Sequence, residues 1–450
     1  MKLNYKNTIL VGIIFLSISL FWQVYDNIVS KILDKVFLFS NAERGIIMAL
    51  DNIVALFMLP LFGTLSDKTD TRFGKRTPYI VIGTVLSSAT FTFVGVAADN
   101  KSLAGFLIAL GFVLIFMSIF RSPAVALMPD VTVKPLRSKG NAIINLMGAL
   151  GGLIALVAIP LLYKENGTYL PLFAVISGLM ILFLVIFLFT VKEPQLVAKM
   201  REDEITYGIN EESEQKVEKT AAPKEKMDKA KLKSLIFLLA SVFLWYMAYN
   251  AVTSSFSVFA EKIWNIKGGN FTIPLMVAQV SAIAMFIPVG ILASKIGRKK
   301  TILLGVAMMF VAFLAAFLIG SNVFSFININ LSGSVFSHPI FYLMSFFFAL
   351  CGAGWATINV NSYPMVVEMN KNSDIGKYTG YYYTASMAAQ ILTPFLSGLI
   401  MDIPWITMKG LFIYSAVFTG LAFVTMLFVM HGDSKPIPAK SKLESFDVDD

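Results

Sequence analysis

Three ionisable residues interrupt long apolar runs: Asp26, Asp51 and Arg121. A central Asp or Arg costs roughly 2.5–3.5 kcal/mol on insertion scales, so such groups turn toward a bundle interior and mark function. Arginine keeps its proton under ordinary conditions, so a titrating partner in this set must be a carboxylate. Depth follows from about 1.5 Å of rise per residue. Arg121 precedes Asp130 by nine residues, which places it near the midplane. Asp51 lies roughly 22 Å from the same side at that rise, and Asp26 at least as high. A direct Arg121–Asp26 contact therefore needs tilt or a kink. Otherwise Arg121 is placed to contact solute hydroxyls, and Asp26 or Asp51 to carry a proton.

Polar and aromatic residues recur at helical spacing around these charges. The first run carries Trp22, Gln23, Asp26 and Asn27; the fifth carries Asn141 and Asn145. Trp245, Tyr246 and Asn250 follow in the seventh, Trp355 and Asn359 in the tenth, and Tyr382, Tyr383 and Gln390 in the eleventh. Amides and hydroxyls suit sugar hydroxyls, and flat rings suit the C–H faces of a pyranose. Uncharged amides favour a neutral solute over an anion. Asn and Gln also serve as hydrogen-bonding glue between membrane helices. His338 and His431 fall at run ends and suit an interface.

Two charged turns join apolar runs. The first is Gly63–Pro78, GTLSDKTDTRFGKRTP; a reduced copy is Gly290–Lys300, GILASKIGRKK. In the first, Asp67 and Asp130 can take Arg72, Lys75 or Arg76, while Gly63 and Gly74 allow close approach. Such a cluster could latch one face during a transport cycle, or it could simply set orientation. The second copy keeps Gly290, Gly297 and Arg298, but Ser294 stands where the first has Asp67.

These residues need a membrane scaffold. Hydrophobic residues make up 56% of 450 positions and charged residues 14%, too little charge to cover a soluble protein of this size. Twelve spans of bilayer length are expected: 8–30, 45–66, 78–98, 103–128, 139–162, 170–191, 234–258, 271–293, 301–320, 338–366, 376–401 and 409–430. Residues 192–233 hold ten Lys/Arg and ten Asp/Glu and form a solvated linker. The expected fold is all-α and integral to the membrane, with twelve transmembrane helices in two pseudo-symmetric six-helix bundles. The bundles are 1–191 and 234–430, with a tail at 431–450. A cytoplasmic N-terminus leaves eight of the 37 Lys/Arg in outer loops, namely Lys31, Lys35, Arg44, Lys101, Lys164, Lys262, Lys267 and Lys409. That asymmetry places both termini inside a cell (plasma or inner) membrane. The net charge of +9 then reflects topology, and nucleic acid is not an expected partner. The lone Cys351 excludes an internal disulfide and a cysteine metal cluster. No Ser/His/Asp set, metal-ligand cluster or phosphate loop stands out, so neither an enzyme nor a bound metal or cofactor is expected. The first run lacks a cleavage site and reads as a retained helix.

The paired turns and the 6+6 layout resemble the major facilitator architecture. The extended first turn, SD…TRFGKRTP, is similar to two groups of sugar symporters. One is the glycoside–pentoside–hexuronide cation symporters of the melibiose permease type; the other is the sucrose/proton symporters and their bacterial relatives. The likeness continues through RSPAVALMPDVT (Arg121–Thr132), WYMAYNAVTS (Trp245–Ser254) and GKYTGYYYTASMAAQILTP (Gly376–Pro394). It implies a monomeric carrier that imports a small neutral glycoside, a disaccharide such as sucrose or maltose, by alternating access. The melibiose-permease sodium site uses aspartates on spans two and four. Here Ala55, Leu59 and Arg121 take those positions, so the resemblance implies proton rather than Na⁺ coupling. A sodium-coupled or uncoupled sugar carrier, or a drug/proton antiporter, stands as the alternative.

Overall fold

The computed structural model describes residues 3–165, 167–206, 228–322, 329–331, 335–367, 369 and 375–432. Among these residues every regular element is helical. Among the described residues twelve helices are long and apolar enough to cross a bilayer. Spans one to six are Tyr5–Lys35, Asn41–Asp67, Thr77–Asp99, Leu103–Asp130, Lys139–Leu162 and Leu170–Thr190. Spans seven to twelve are Lys229–Lys262, Thr272–Ile296, Arg298–Gly320, Pro339–Val367, Lys377–Met401 and Thr407–Leu427. Most outrun the apolar stretches that signal them. The apolar stretch marks the hydrocarbon, and the helix continues into the wet interface, where polar side chains can finish its hydrogen bonds. Ser40 illustrates this at span two: it accepts from the Glu43 N–H while Glu43 reaches back to the Ser40 N–H, a reciprocal cap.

The packing repeats with an offset of six helices. In the first half, span one packs on five and six, span four on two and three, and span three on six. In the second half, seven packs on eleven and twelve, ten on eight and nine, and nine on twelve. The halves meet where span two crosses eleven, five crosses eight, and one runs beside seven. The two–eleven crossing is close. A Cβ at Gly45 would collide with the Pro394 carbonyl oxygen, so only glycine fits there.

Two departures from plain α-helix matter. Span one makes a π turn at Tyr25–Val29, and span nine ends in another at Ala316–Gly320. A π turn inserts a residue and swings the side chains around it. The first one contains Asp26. The expected linker is partly helical, at Glu193–Thr206. Its last residues, from Lys229, already belong to span seven, whereas 207–227 and the tail beyond 432 lie outside the described residues.

Candidate functional site

The first charged turn lies on the face where span one begins and span twelve ends, here called the terminal face. Arg76 organises it. Its side chain is almost fully buried, yet it donates to Asp130 Oδ2 at 2.7 Å, to Ser66 Oγ at 2.5 Å and to Asp67 Oδ1. Burial alone would lower the Arg76 pKa; the Asp130 and Asp67 carboxylates outweigh it and hold the guanidinium above its ordinary value. The turn was expected to engage Arg72 and Lys75 as well. Instead Arg72 lies over the Phe73 ring at 4.7 Å, and Lys75 contributes its backbone N–H.

That N–H leads to a residue the linker reading missed. Glu193, 2% exposed, accepts from the N–H groups of Lys75, Arg76 and Thr77 at 2.7–3.2 Å and from the Thr77 hydroxyl at 2.7 Å. These are the free donors at the start of span three, where a carboxylate also meets the positive end of the helix dipole. Gly74 permits the docking: it sits at φ +106°, and a Cβ there would strike the Glu193 carboxylate. Gly63 accepts from Arg76 Nη1 at 3.4 Å.

The second turn is leaner. Gly297 takes φ +93° between spans eight and nine, and Arg298 is buried beside it. Ser294, in the Asp67 position, donates to its own helix at Ile291 O. Lys299 reaches the end of span twelve and donates to Leu427 O at 3.1 Å. Gly290 lies seven residues before Gly297, within span eight.

The three charges of the membrane interior converge. Arg121 holds its guanidinium 5.9 Å from the Trp22 ring and within electrostatic reach of Asp51. Asp51 accepts from the Asn52 N–H at 2.5 Å and Asn52 Nδ2 at 2.7 Å. Asp26 interacts electrostatically with Asp51 and with Tyr249 of span seven. Thus spans one, two, four and seven meet around two carboxylates and one guanidinium. Arg121 is exposed and Asp26 and Asp51 half-buried, although all three lie deep in their helices.

Against this set stands an aromatic group of the second half. Tyr249 stacks on Trp355 with ring centres 3.7 Å apart and planes 4° from parallel, while Tyr246 meets Trp355 edge-on at 5.2 Å. The expected residues differ in burial. Trp22, Gln23, Asn145, Tyr246, Asn250 and Gln390 are half-buried. Asn250 Nδ2 and Trp22 Nε1 have no hydrogen-bond partner among the described residues. Gln390 donates to Ser386 O, and Asn359 to Trp355 O. Trp245 is fully buried and belongs to the packing of span seven rather than to an open surface. Tyr382 is buried too, its hydroxyl 3.0 Å from Ser362 Oγ. The sequence reading did not single out Tyr249.

The opposite, far face is clasped shut by an exchange of charges. Lys31 and Lys35 at the end of span one bind Glu261 of span seven at 2.6 and 3.0 Å. In return Lys262 of span seven binds Asp34 of span one at 2.6 Å, and Asp34 also takes Arg44 at 3.3 Å. Lys31 is 1% exposed and lies over the Phe271 ring at 4.7 Å. Asp402 crosses the halves as well, accepting from the Asn41 and Ala42 N–H groups at 2.8 Å each. Lys267 binds Glu165 at 2.9 Å; that bond raises the exposed ammonium above its ordinary pKa. Five of the eight basic residues counted on this face are therefore ion-paired, sharing the three carboxylates of Glu261, Asp34 and Glu165.

Known proteins agree with this architecture. The family model of the Major Facilitator Superfamily matches residues 8–338 and 324–448. Among curated proteins, sucrose transport protein SUC3 of Arabidopsis thaliana is 25% identical over 138 residues. That match spans 26% of this chain and 23% of the relative. Among solved structures, the nucleoside transporter NupG superposes with a TM-score of 0.66 at 14% identity, covering 93% of this chain and 98% of its own. A structure of proton dependent oligopeptide transporters gives 0.68 at 13%, covering 94% and 98%. A bacterial homolog of the human lysosomal transporter Spinster gives 0.63 at 13%, covering 95% of each chain. At such identities these structures share the fold alone. With its family model matched through both halves, the chain belongs to the Major Facilitator Superfamily.

Proposed function

We propose that this protein imports a small neutral glycoside, a disaccharide such as sucrose or maltose, together with a proton. The observation that carries the reading is the meeting of Asp26, Asp51 and Arg121 with the Tyr249–Trp355 stack, one group from each half. The stack supplies a flat apolar surface for a sugar ring, and the unpartnered Asn250 amide and Trp22 indole N–H supply donors for its hydroxyls. Arg121 stays ionised and holds Asp51 as its counter-ion. Asp26, with Asp51 and Tyr249 as electrostatic neighbours, takes up and releases the proton. Protonation removes one of two adjacent negative charges and eases closure of the site around a neutral solute. The partial likeness to a sucrose transporter supports the substrate class.

Alternating access would rock residues 1–191 against 234–430, with the site near the midplane between them. The terminal face is read as cytoplasmic and the clasped face as external, in a cell membrane, with one chain as the working unit. In that reading the clasp at Lys31, Asp34, Glu261 and Lys262 opens to admit sugar, while the Arg76–Asp67–Asp130 cluster governs the inner side. Metal and organic cofactors have no part in it. Uptake of radiolabelled disaccharides into proteoliposomes tests the reading. Accumulation driven by an inward proton gradient and collapsed by a protonophore is expected. Accumulation driven by Na⁺ at constant pH would replace proton coupling. Export of cationic dyes with no sugar uptake would replace the substrate class.

A further inference from the structure

Away from the central site, a slot of about 490 Å³ opens at the far ends of spans nine, eleven and twelve. Phe317, Ile400, Ile413 and Val417 wall it, and Trp405 and Lys409 stand at its mouth. Val417 follows Lys409 by eight residues, so at about 1.5 Å per residue the slot runs roughly 12 Å below its mouth. One leaflet of a ~30 Å hydrocarbon layer is about 15 Å deep. The slot thus has the depth of a single leaflet and opens at its surface. Trp405 is 84% exposed, in the loop where an interfacial indole belongs.

The backbone shapes both ends. Thr407 adopts φ +53°, costly for a β-branched residue, at the start of the short turn Thr407–Lys409 that presents the lysine. The π turn at Ala316–Gly320 contains Phe317, which forms the opposite wall. Lys409 Nζ donates to Asn322 O at 3.0 Å, which engages one of its three N–H groups. Asp402, the acidic residue of the same loop, is engaged by the Asn41 and Ala42 N–H groups across the halves. The mouth therefore presents a cation whose loop-mate carboxylate is already taken.

We propose that this slot holds an acyl chain of an anionic phospholipid from the far leaflet, with its phosphate on Lys409. The lipid would brace the 402–409 loop, and through Asp402 the closed far face. The proposal does not depend on the transported solute. Its test reads tryptophan emission in phosphatidylcholine vesicles containing either brominated phosphatidylglycerol or an equal amount of brominated phosphatidylcholine. The Trp405→Phe protein supplies the blank. The Trp405 signal should be quenched about fivefold more efficiently by the anionic lipid, the preference one basic residue near the surface confers. Lys409→Gln should remove the preference, and Ile413→Phe with Val417→Phe should reduce quenching by either lipid, with helical circular dichroism unchanged. Equal quenching by both lipids in the parent protein, or a preference that survives Lys409→Gln, would overturn the assignment.

Discussion

Spans one, two and four of the first half carry Asp26, Asp51 and Arg121; their counterparts seven, eight and ten carry Tyr249, Gln279 and Trp355. The alignment is close in the fourth pair, where Arg121 lies eight residues before Pro129 and Trp355 nine before Pro364. One half holds charge at its centre and the other holds rings and amides, on one shared packing scheme. The division has an electrostatic logic. Arg121 lies within electrostatic reach of Asp51 on a neighbouring span of its own half, so in the proposed reading these two charges travel together while the halves move. In the proposed reading the neutral surface opposite is the one shaped for the solute. The terminal turns differ too: in the first, three carboxylates engage one arginine and a helix start, while in the second Ser294 replaces the Asp67 carboxylate and Lys299 reaches a carbonyl.

The largest effect is expected from the charged centre. Arg121→Ala leaves Asp51 without its counter-ion and should lower uptake more than about 100-fold, the weight of the 2.5–3.5 kcal/mol that an unpaired central charge carries. Normal uptake by that variant, measured with membrane insertion confirmed, would make Arg121 a packing residue. Next comes the clasp between the halves. Glu261→Gln strands the buried Lys31 and should cost about 3–5 kcal/mol of closed-state stability, because one charge of a buried pair is removed. A Cys-free background carrying one reporter cysteine beneath the far face should become more reactive to a thiol reagent. Unchanged labelling would show the far face held by other contacts.

On the neutral side, Trp355→Ala should raise KM about tenfold and leave the pH profile of uptake intact, since stacked aromatic contacts contribute on the order of 1 kcal/mol beyond their buried area. A shifted pH profile with KM unchanged would place Trp355 in coupling instead. The smallest effect separates the two turns. Glu193→Gln weakens the charge-assisted bonds at the start of span three and should lower thermal stability by about 1–2 kcal/mol. Lys299→Met should change it by less than about 0.5 kcal/mol, as an exposed contact. Equal losses would mean the turns carry equal load.

Much of this is written in the chain, and what is hidden is hidden for physical reasons. The twelve spans follow from apolar runs because nothing but a closed helix satisfies a backbone in hydrocarbon. The first turn is visible because Asp67, Arg76 and Asp130 are charges at helix ends. Glu193 is not, because a lone acid after span six resembles the other linker acids until it is seen beside the start of span three. The π turn at Asp26 leaves no mark in YDNIV, so a direct Arg121–Asp26 contact could only be left open. Trp245, Tyr246 and Tyr249 share one helical region, and only the neighbouring spans decide that Trp245 packs away while Tyr249 stacks on Trp355. Lys31 and Lys35 read as loop charges, whereas the helix continues through them and its last turn forms half of the clasp.

The central claim is that Asp26 couples a proton to a sugar bound on the rings of the other half. Its most direct measurement is proton movement with a pH electrode outside unenergised proteoliposomes when disaccharide is added. The parent protein should alkalinise the medium on sugar addition. Asp26→Asn should give no proton signal yet still exchange labelled sugar across the membrane. Sugar entry without proton movement in the parent protein, or an undiminished proton signal in Asp26→Asn, would contradict the account.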